Sequence, residues 1–215
     1  MKDSTRSVLQ VLFARYPELE PCRPQVEQAT EILIDCYQKG GKLLVCGNGG
    51  SAADSQHIVG ELMKSFVLPR AVDAGVSQSL RNVTPEKADY MIENLQGALP
   101  AISLIGEGAL STAFANDVAP EMCFAQQVLG LGAEGDVLLG ISTSGGAQNV
   151  WYAAQVARAK GMKVIALTGR DGGALRDVAD CSVIVPAAET YQIQEYHLPV
   201  YHALCLAVEQ AFFGA

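Results

Sequence analysis

Residues 42–66, KLLVCGNGGSAADSQHIVGELMKSF, decide how the chain is read. Lys42 to Cys46 is an apolar run of strand length. Gly47-Asn48-Gly49-Gly50-Ser51 is a turn that few other side chains could occupy. From Ala52 the pattern is helical, with Ala53, Ile58 and Leu62 available for packing. A strand, a glycine turn and a helix start aim free backbone N–H groups at one point, and that point suits an anion. Deeper in the helix, His57 and Glu61 stand four residues apart and share a face. An anion cradle beside a His/Glu pair suits chemistry on a small, negatively charged molecule.

Working outward, 215 residues fit one domain with a substantial core. Apolar residues make up 49% and aromatics only 7%, so that core is aliphatic. The formal charge is −8 with no Lys/Arg cluster, which argues against a nucleic-acid partner. It leaves a phosphorylated metabolite open, because a few amides and hydroxyls can hold one phosphate. Cys22, Cys36, Cys46, Cys123, Cys181 and Cys205 are scattered and lack CxxC spacing, as expected of reduced thiols in a cytoplasmic protein. No apolar stretch approaches the ~20 residues of a membrane span, and Arg6, Arg15 and Glu18 interrupt any signal core.

In chain order, an amphipathic helix over 3–16 is followed by Pro17 and Pro21, and a second helix covers 24–39 up to Gly40-Gly41. After the central stretch, Pro69, Asp73, Gly75 and Ser77 read as loop. Thr84-Pro85 reads as the capped start of a helix to about Gln96. Further strands are expected at 100–105, 136–141, 163–167 and 182–185, with helical segments between them and a long helix over 189–213. Apolar strands alternating with helices predict an α/β fold of three layers, a parallel sheet covered on both faces. Such sheets bind ligands at the carboxyl ends of their strands. Both small-residue turns, GNGGS and Ser142-Thr143-Ser144-Gly145-Gly146, fall on that side.

Three hydroxyls before a helix start fit a phosphate, and they also fit ordinary helix capping. On the last helix, Gln194, Glu195, His197 and His202 interrupt apolar Ile193, Leu198, Leu204 and Val208. Each alone could be satisfied core polarity. Together with His57 and Glu61 they suggest proton transfer next to a carbonyl, as ketose–aldose interconversion requires. Pro199 removes one helical donor and is a candidate kink. GNGGS lacks GxGxxG spacing and the Gly-Lys-Ser/Thr ending of a Walker loop, and no Ser/His/Asp signature is present.

CGNGGSAADSQHIVGEL, FANDV, GDVLLGISTSGGAQNV, GMKVIALTG and ETYQIQEYH resemble the sugar isomerase (SIS) domain, in its phosphoheptose isomerase branch. The resemblance covers nearly the whole chain except about 67–97. It implies a five-stranded parallel sheet between helices and a single SIS domain over 1–215. An N-terminal helical segment covers about 1–40, and about 67–97 is an insertion that departs from the family in being longer than in the heptose enzymes. The resemblance also implies a homotetramer with active sites at subunit boundaries, acting on sedoheptulose 7-phosphate. By motif position Glu61 matches the catalytic base and His202 the catalytic acid. Asn48, Gly49, Gly50, Ser51, Asn116, Asp117 and Gln194 match substrate-contacting positions, and Ser142, Thr143 and Ser144 the phosphate loop. No cofactor is required, although some members hold zinc with residues matching His57, Glu61, Gln194 and His202. The loop departs from the usual Ser-Thr-Ser-Gly-Asn-Ser in having Gly146-Ala147, which removes one hydroxyl. The alternative is a non-catalytic SIS protein that binds a replication initiator or senses a sugar phosphate. Retention of both Glu61 and His202 favours an enzyme.

Overall fold

The computed structural model describes residues 1–214. Five strands form one parallel sheet: β1 (Leu43–Gly47), β2 (Ala101–Ser103), β3 (Val137–Ser142), β4 (Lys163–Thr168) and β5 (Cys181–Ile184). Their order is β2-β1-β3-β4-β5. Alternate side chains enter opposite layers, as the two-residue period of a strand dictates. Leu43, Val45, Val137, Leu139, Ile141, Ile165 and Leu167 join one core. It is closed by the helices α1 (Asp3–Arg15), α2 (Arg23–Gln38), α3 (Gly50–Met63) and α10 (Thr190–Phe213). Leu44, Cys46, Leu138, Val164 and Ala166 join the other, under α7 (Cys123–Leu131) and α8 (Gln148–Ala159). The expected three-layer α/β architecture is therefore present. Gly140 lets α8 come close, since a Cβ there would lie 2.9 Å from Val150 Cγ1.

Between β1 and β3 the sheet order reverses: β2 lies on one side of β1, and β3, β4 and β5 follow on the other. This is the topological switch point, where diverging loops leave a crevice at the strand ends. Gly47 pairs with Ile141 there, so the turns following β1 and β3 stand side by side.

The segment after α3 differs from expectation. Residues read as loop contain α4 (Ala74–Val83), capped by Asp73, whose carboxylate accepts from the amides of Gly75 and Val76. Thr84 ends this helix rather than starting the next one. α5 is confined to Ala88–Asn94, after a turn in which the Lys87 amide donates to the Thr84 carbonyl. The remaining short helices are α6 (Gly108–Asp117) and α9 (Gly173–Arg176). α10 runs unbroken through Pro199. Ala53, expected to pack, is exposed, and Ser51 and Ser55 are buried on that helix instead.

Candidate active site

The glycine turn after β1 is tight for steric reasons. Gly49 has φ +56°, a conformation that L side chains rarely adopt. A Cβ on Gly47 would collide with Ser51, and one on Gly50 with the Gln194 amide. Gln194, on α10, therefore lies directly over the turn. The Ser51 amide donates to Asn48 O, and the amides of Ala52 and Ala53 donate to Gly49 O, which pulls the chain into α3.

The hydroxyl loop leaves β3 alongside. Ser142 Oγ accepts from the Ala147 amide at 3.4 Å, and Ser144 Oγ accepts from the Gly146 amide at 3.2 Å. Two of the three hydroxyls thus shape the loop. The turn after β4 buttresses it from below. The Gly169 amide donates to Thr143 O, the Leu175 amide donates to Gly145 O, and Gly145 packs against the Gly172-Gly173 backbone too closely to admit a side chain. The two turns are joined by an amide pair in which Asn48 and Asn149 each donate to the other at 2.9 Å. Asn149 carried no sequence signal that set it apart from an ordinary first-turn helix residue.

The titratable groups gather where α3 meets α10. His57 Nε2 lies 3.3 Å from Glu61 Oε1 and 3.4 Å from His202 Nε2. Lys64 Nζ donates to the other Glu61 oxygen at 3.0 Å. Behind His57, its Nδ1 is 3.0 Å from the Tyr201 hydroxyl, which in turn donates to Asp54 Oδ1 at 3.2 Å. With its own hydrogen committed to Asp54, that hydroxyl accepts from His57 Nδ1–H and fixes the ring on this side. Burial lowers the His202 pKa, the neighbouring His57 adds to the effect, and Glu61 opposes it. Burial raises that of Asp54 against the opposing Tyr201 hydrogen bond and His57. Tyr201 is raised by burial and by Asp54, so its hydroxyl stays protonated. Asp54, Lys64 and Tyr201 were missed in the sequence. Asp54 stands one turn before His57, and Tyr201 reads as a core aromatic.

His57, Glu61 and His202 are thus brought together from elements about 140 residues apart. Asn48 and Ser51 form the adjacent turn with Gly49 and Gly50, and Ser142, Thr143 and Ser144 the loop beside it. Asn116 and Asp117 are exposed at the end of α6 and bond to each other at 2.8 Å. Among the described residues no hydrogen bond ties them to the cluster. Of the four residues matched to zinc, His57, Glu61 and His202 meet, and Gln194 does not join them. The Gln194 amide sits at Gly50, seven residues and about 10 Å of helical rise from His57. Among the described residues no group of three or more His, Cys, Asp or Glu is arranged to hold a metal ion. His197, grouped with the site in the sequence, is instead buried in the core, and neither ring nitrogen finds a hydrogen-bond partner.

The description "SIS domain" belongs to the family model that matches residues 18–102 and 91–169. A phosphoheptose isomerase of Geobacter sp. (strain M21) is 38% identical over 213 residues, covering 99% of this chain and 96% of that protein. The phosphoheptose isomerase of Thiobacillus denitrificans is 41% identical over 194 residues, covering 89% of this chain and 85% of that protein. Among solved structures, a phosphoheptose isomerase from Francisella tularensis superposes with a TM-score of 0.75 at 34% identity. It covers 98% of this chain and 100% of that one. Full-length similarity at this level, on a five-stranded sheet with both turns in place, settles the family: the chain belongs to the SIS domain family, in its phosphoheptose isomerase branch.

Proposed function

We propose that this protein isomerises sedoheptulose 7-phosphate to D-glycero-D-manno-heptose 7-phosphate by proton transfer through an enediol. The observation that carries the reading is the meeting of Glu61, His57 and His202 beside two anion-suited turns. Relatives named phosphoheptose isomerase, 38–41% identical, support a phosphorylated heptose as the substrate. Glu61 takes the proton from the carbon next to the carbonyl and returns it to the neighbouring carbon. His202 supplies and removes the proton at the sugar oxygens. Its lowered pKa makes it a neutral N–H donor near pH 7, a form that polarises a carbonyl without first having to be charged. The hydroxyl loop and the start of α8 hold the phosphate, and Asn48, Ser51 and Gln194 orient the chain of the sugar. Asn116 and Asp117 complete the substrate contacts in this reading.

The reaction is written without a metal, because Gln194 covers the glycine turn instead of joining His57, Glu61 and His202. Elemental analysis of protein purified without chelator tests this: full activity is expected with less than about a tenth of an equivalent of zinc. The apolar groove between α1 and α10, lined by exposed Val11, Val67 and Leu198 together with His202, supports a homo-oligomer, a tetramer in this reading. A monomer by light scattering would contradict it. Free cysteines, five of them buried, suit a cytoplasmic location. Among the described residues no helix is long and apolar enough to cross a membrane. The chain is read as a single SIS domain, with the α4–α5 hairpin as its insertion.

Glu61→Gln tests the central claim, since it keeps size and hydrogen bonding but removes the base. Sedoheptulose 7-phosphate turnover should disappear while the fold and phosphate binding remain. Near-normal turnover would refute the assignment. A panel of C5 to C7 ketose phosphates, assayed with the unaltered protein, checks the substrate separately.

A further inference from the structure

Arg70 and Glu209 form an ion pair whose side chains are 0% and 1% exposed, on the far side of α3's last turn from solvent. Neither belongs to the two small-residue turns or to the His57/Glu61 pair. Arg70 Nε donates to Glu209 Oε1 at 2.8 Å. Its two remaining nitrogens donate to the last carbonyls of α3, Nη1 to Leu62 O at 2.6 Å and Nη2 to Glu61 O at 3.0 Å. The Phe213 ring covers the guanidinium, with its centroid 4.9 Å away. Glu209 also accepts from the amides of Phe66, Val67 and Leu68, at 2.8, 3.0 and 3.1 Å. All three guanidinium nitrogens and both carboxylate oxygens are therefore engaged.

A buried ion pair is a poor source of net stability, because desolvation offsets most of the attraction. Its distinctive contribution here is geometric. The last carbonyls of a helix have no partner within it. Arg70 captures two of them, one being the carbonyl of Glu61 itself. Glu209 lies two turns beyond His202 on the same helix, so the two residues share a face. The backbone of one proton-transfer residue is thereby tied, through a guanidinium and a carboxylate, to the helix that carries the other.

We propose that Arg70 and Glu209 are a positioning pair for the isomerisation, setting Glu61 relative to His202 by capping α3 from α10. The inference rests on the assignment of Glu61 and His202 as the proton-transfer residues. Displacing a reacting group by about 1 Å costs on the order of a hundredfold in rate. Releasing the strut should therefore act on turnover, whereas the phosphate turns, held by their own hydrogen bonds after β1, β3 and β4, should keep their grip on substrate.

Arg70→Lys and Glu209→Gln, each with Glu61→Gln as reference, test it. Arg70→Lys keeps the charge opposite Glu209 but cannot cap both carbonyls. Glu209→Gln keeps the shape but loses the charge. Expected is a fall in kcat of about ten- to a hundredfold, with KM and the inorganic-phosphate inhibition constant within about threefold, in protein that is fully folded by circular dichroism at the assay temperature. Folded Arg70→Lys with unchanged kcat overturns the proposal, even if Glu209→Gln fails to fold. A kcat loss that merely follows the fraction unfolded also overturns it, since that is a structural role alone. Activity in Glu61→Gln would instead overturn the underlying assignment, so the two failures are distinguishable.

Discussion

Asn48 and Asn149 exchange two hydrogen bonds of 2.9 Å across the switch point of the sheet, linking the turn after β1 to the first turn of α8. The pair fixes the distance between the two halves of the ligand cradle. Asn149→Ala removes both bonds and leaves the Asn48 amide unpartnered at the site. The expected loss is about 1–2 kcal/mol, a rise in KM of roughly five- to thirtyfold with a smaller effect on kcat. Steady-state kinetics check it. An unchanged KM would mean that the two turns keep their spacing without the pair.

The lowered pKa of His202 has a kinetic consequence. Burial and His57 together outweigh Glu61, so His202 protonates only below the usual histidine value of about 6.5. If the neutral ring is the working form, log kcat should be flat from about pH 8 down to about 6.5 and fall only on the acid side. A profile already falling with acid above pH 6.5 would show that His202 must be neutralised in the ordinary range. Its environment would then not be the one described here.

Ala147 lies directly before α8 and has no hydroxyl to offer a ligand there. The backbone donors of the helix start are present regardless of side chain. A hydroxyl there adds one hydrogen bond to a charged acceptor, about 1.5–3 kcal/mol if no water already supplies it. With a water supplying part of that bond, Ala147→Ser should lower KM by up to about tenfold. If KM and inorganic-phosphate inhibition stay unchanged in that variant and in Ser144→Ala as well, the phosphate does not sit in this loop.

His197 should make stability pH-dependent. Burial lowers its pKa from 6.5 to about 4, only partly offset by the nearby Thr168 backbone. The folded state therefore takes up this proton later than the unfolded chain does. The resulting stabilisation is fully present above about pH 6.5 and is lost as the pH falls from there through about 4, a change of about 3 kcal/mol in all. Urea unfolding at pH 7.5 and 5 should show a smaller difference in His197→Gln than in the unaltered protein. Equal differences would mean that the imidazole is not buried neutral.

Local pattern alone determined much of this protein. Apolar runs at 42–46, 136–141 and 163–167 place three strands within one residue of their observed ends, because a buried parallel strand needs side chains that are apolar on both faces. The glycine turn is legible because a side chain at Gly47 would strike the Ser51 backbone and Gly49 has a positive φ. The His57/Glu61 pair is legible because four residues make one helical turn. Within residues 67–97 the same reasoning misplaced the helices. Gly75 and Ser77 are poor helix formers, yet the Asp73 cap and packing between α4 and α5 hold them helical.

What only the tertiary structure decided is which distant residues meet. α10 could have turned any face toward α3, and the observed packing puts His202 against His57, Tyr201 between His57 and Asp54, Glu209 on Arg70 and Gln194 over Gly50. Gln194 and His202 lie eight residues apart on one rigid helix, so packing that brings His202 to α3's middle necessarily carries Gln194 to α3's start. The partition of these polar groups between acid–base cluster, ligand turn and buried strut depends on helix rotation and depth, quantities that side-chain periodicity along one chain does not encode.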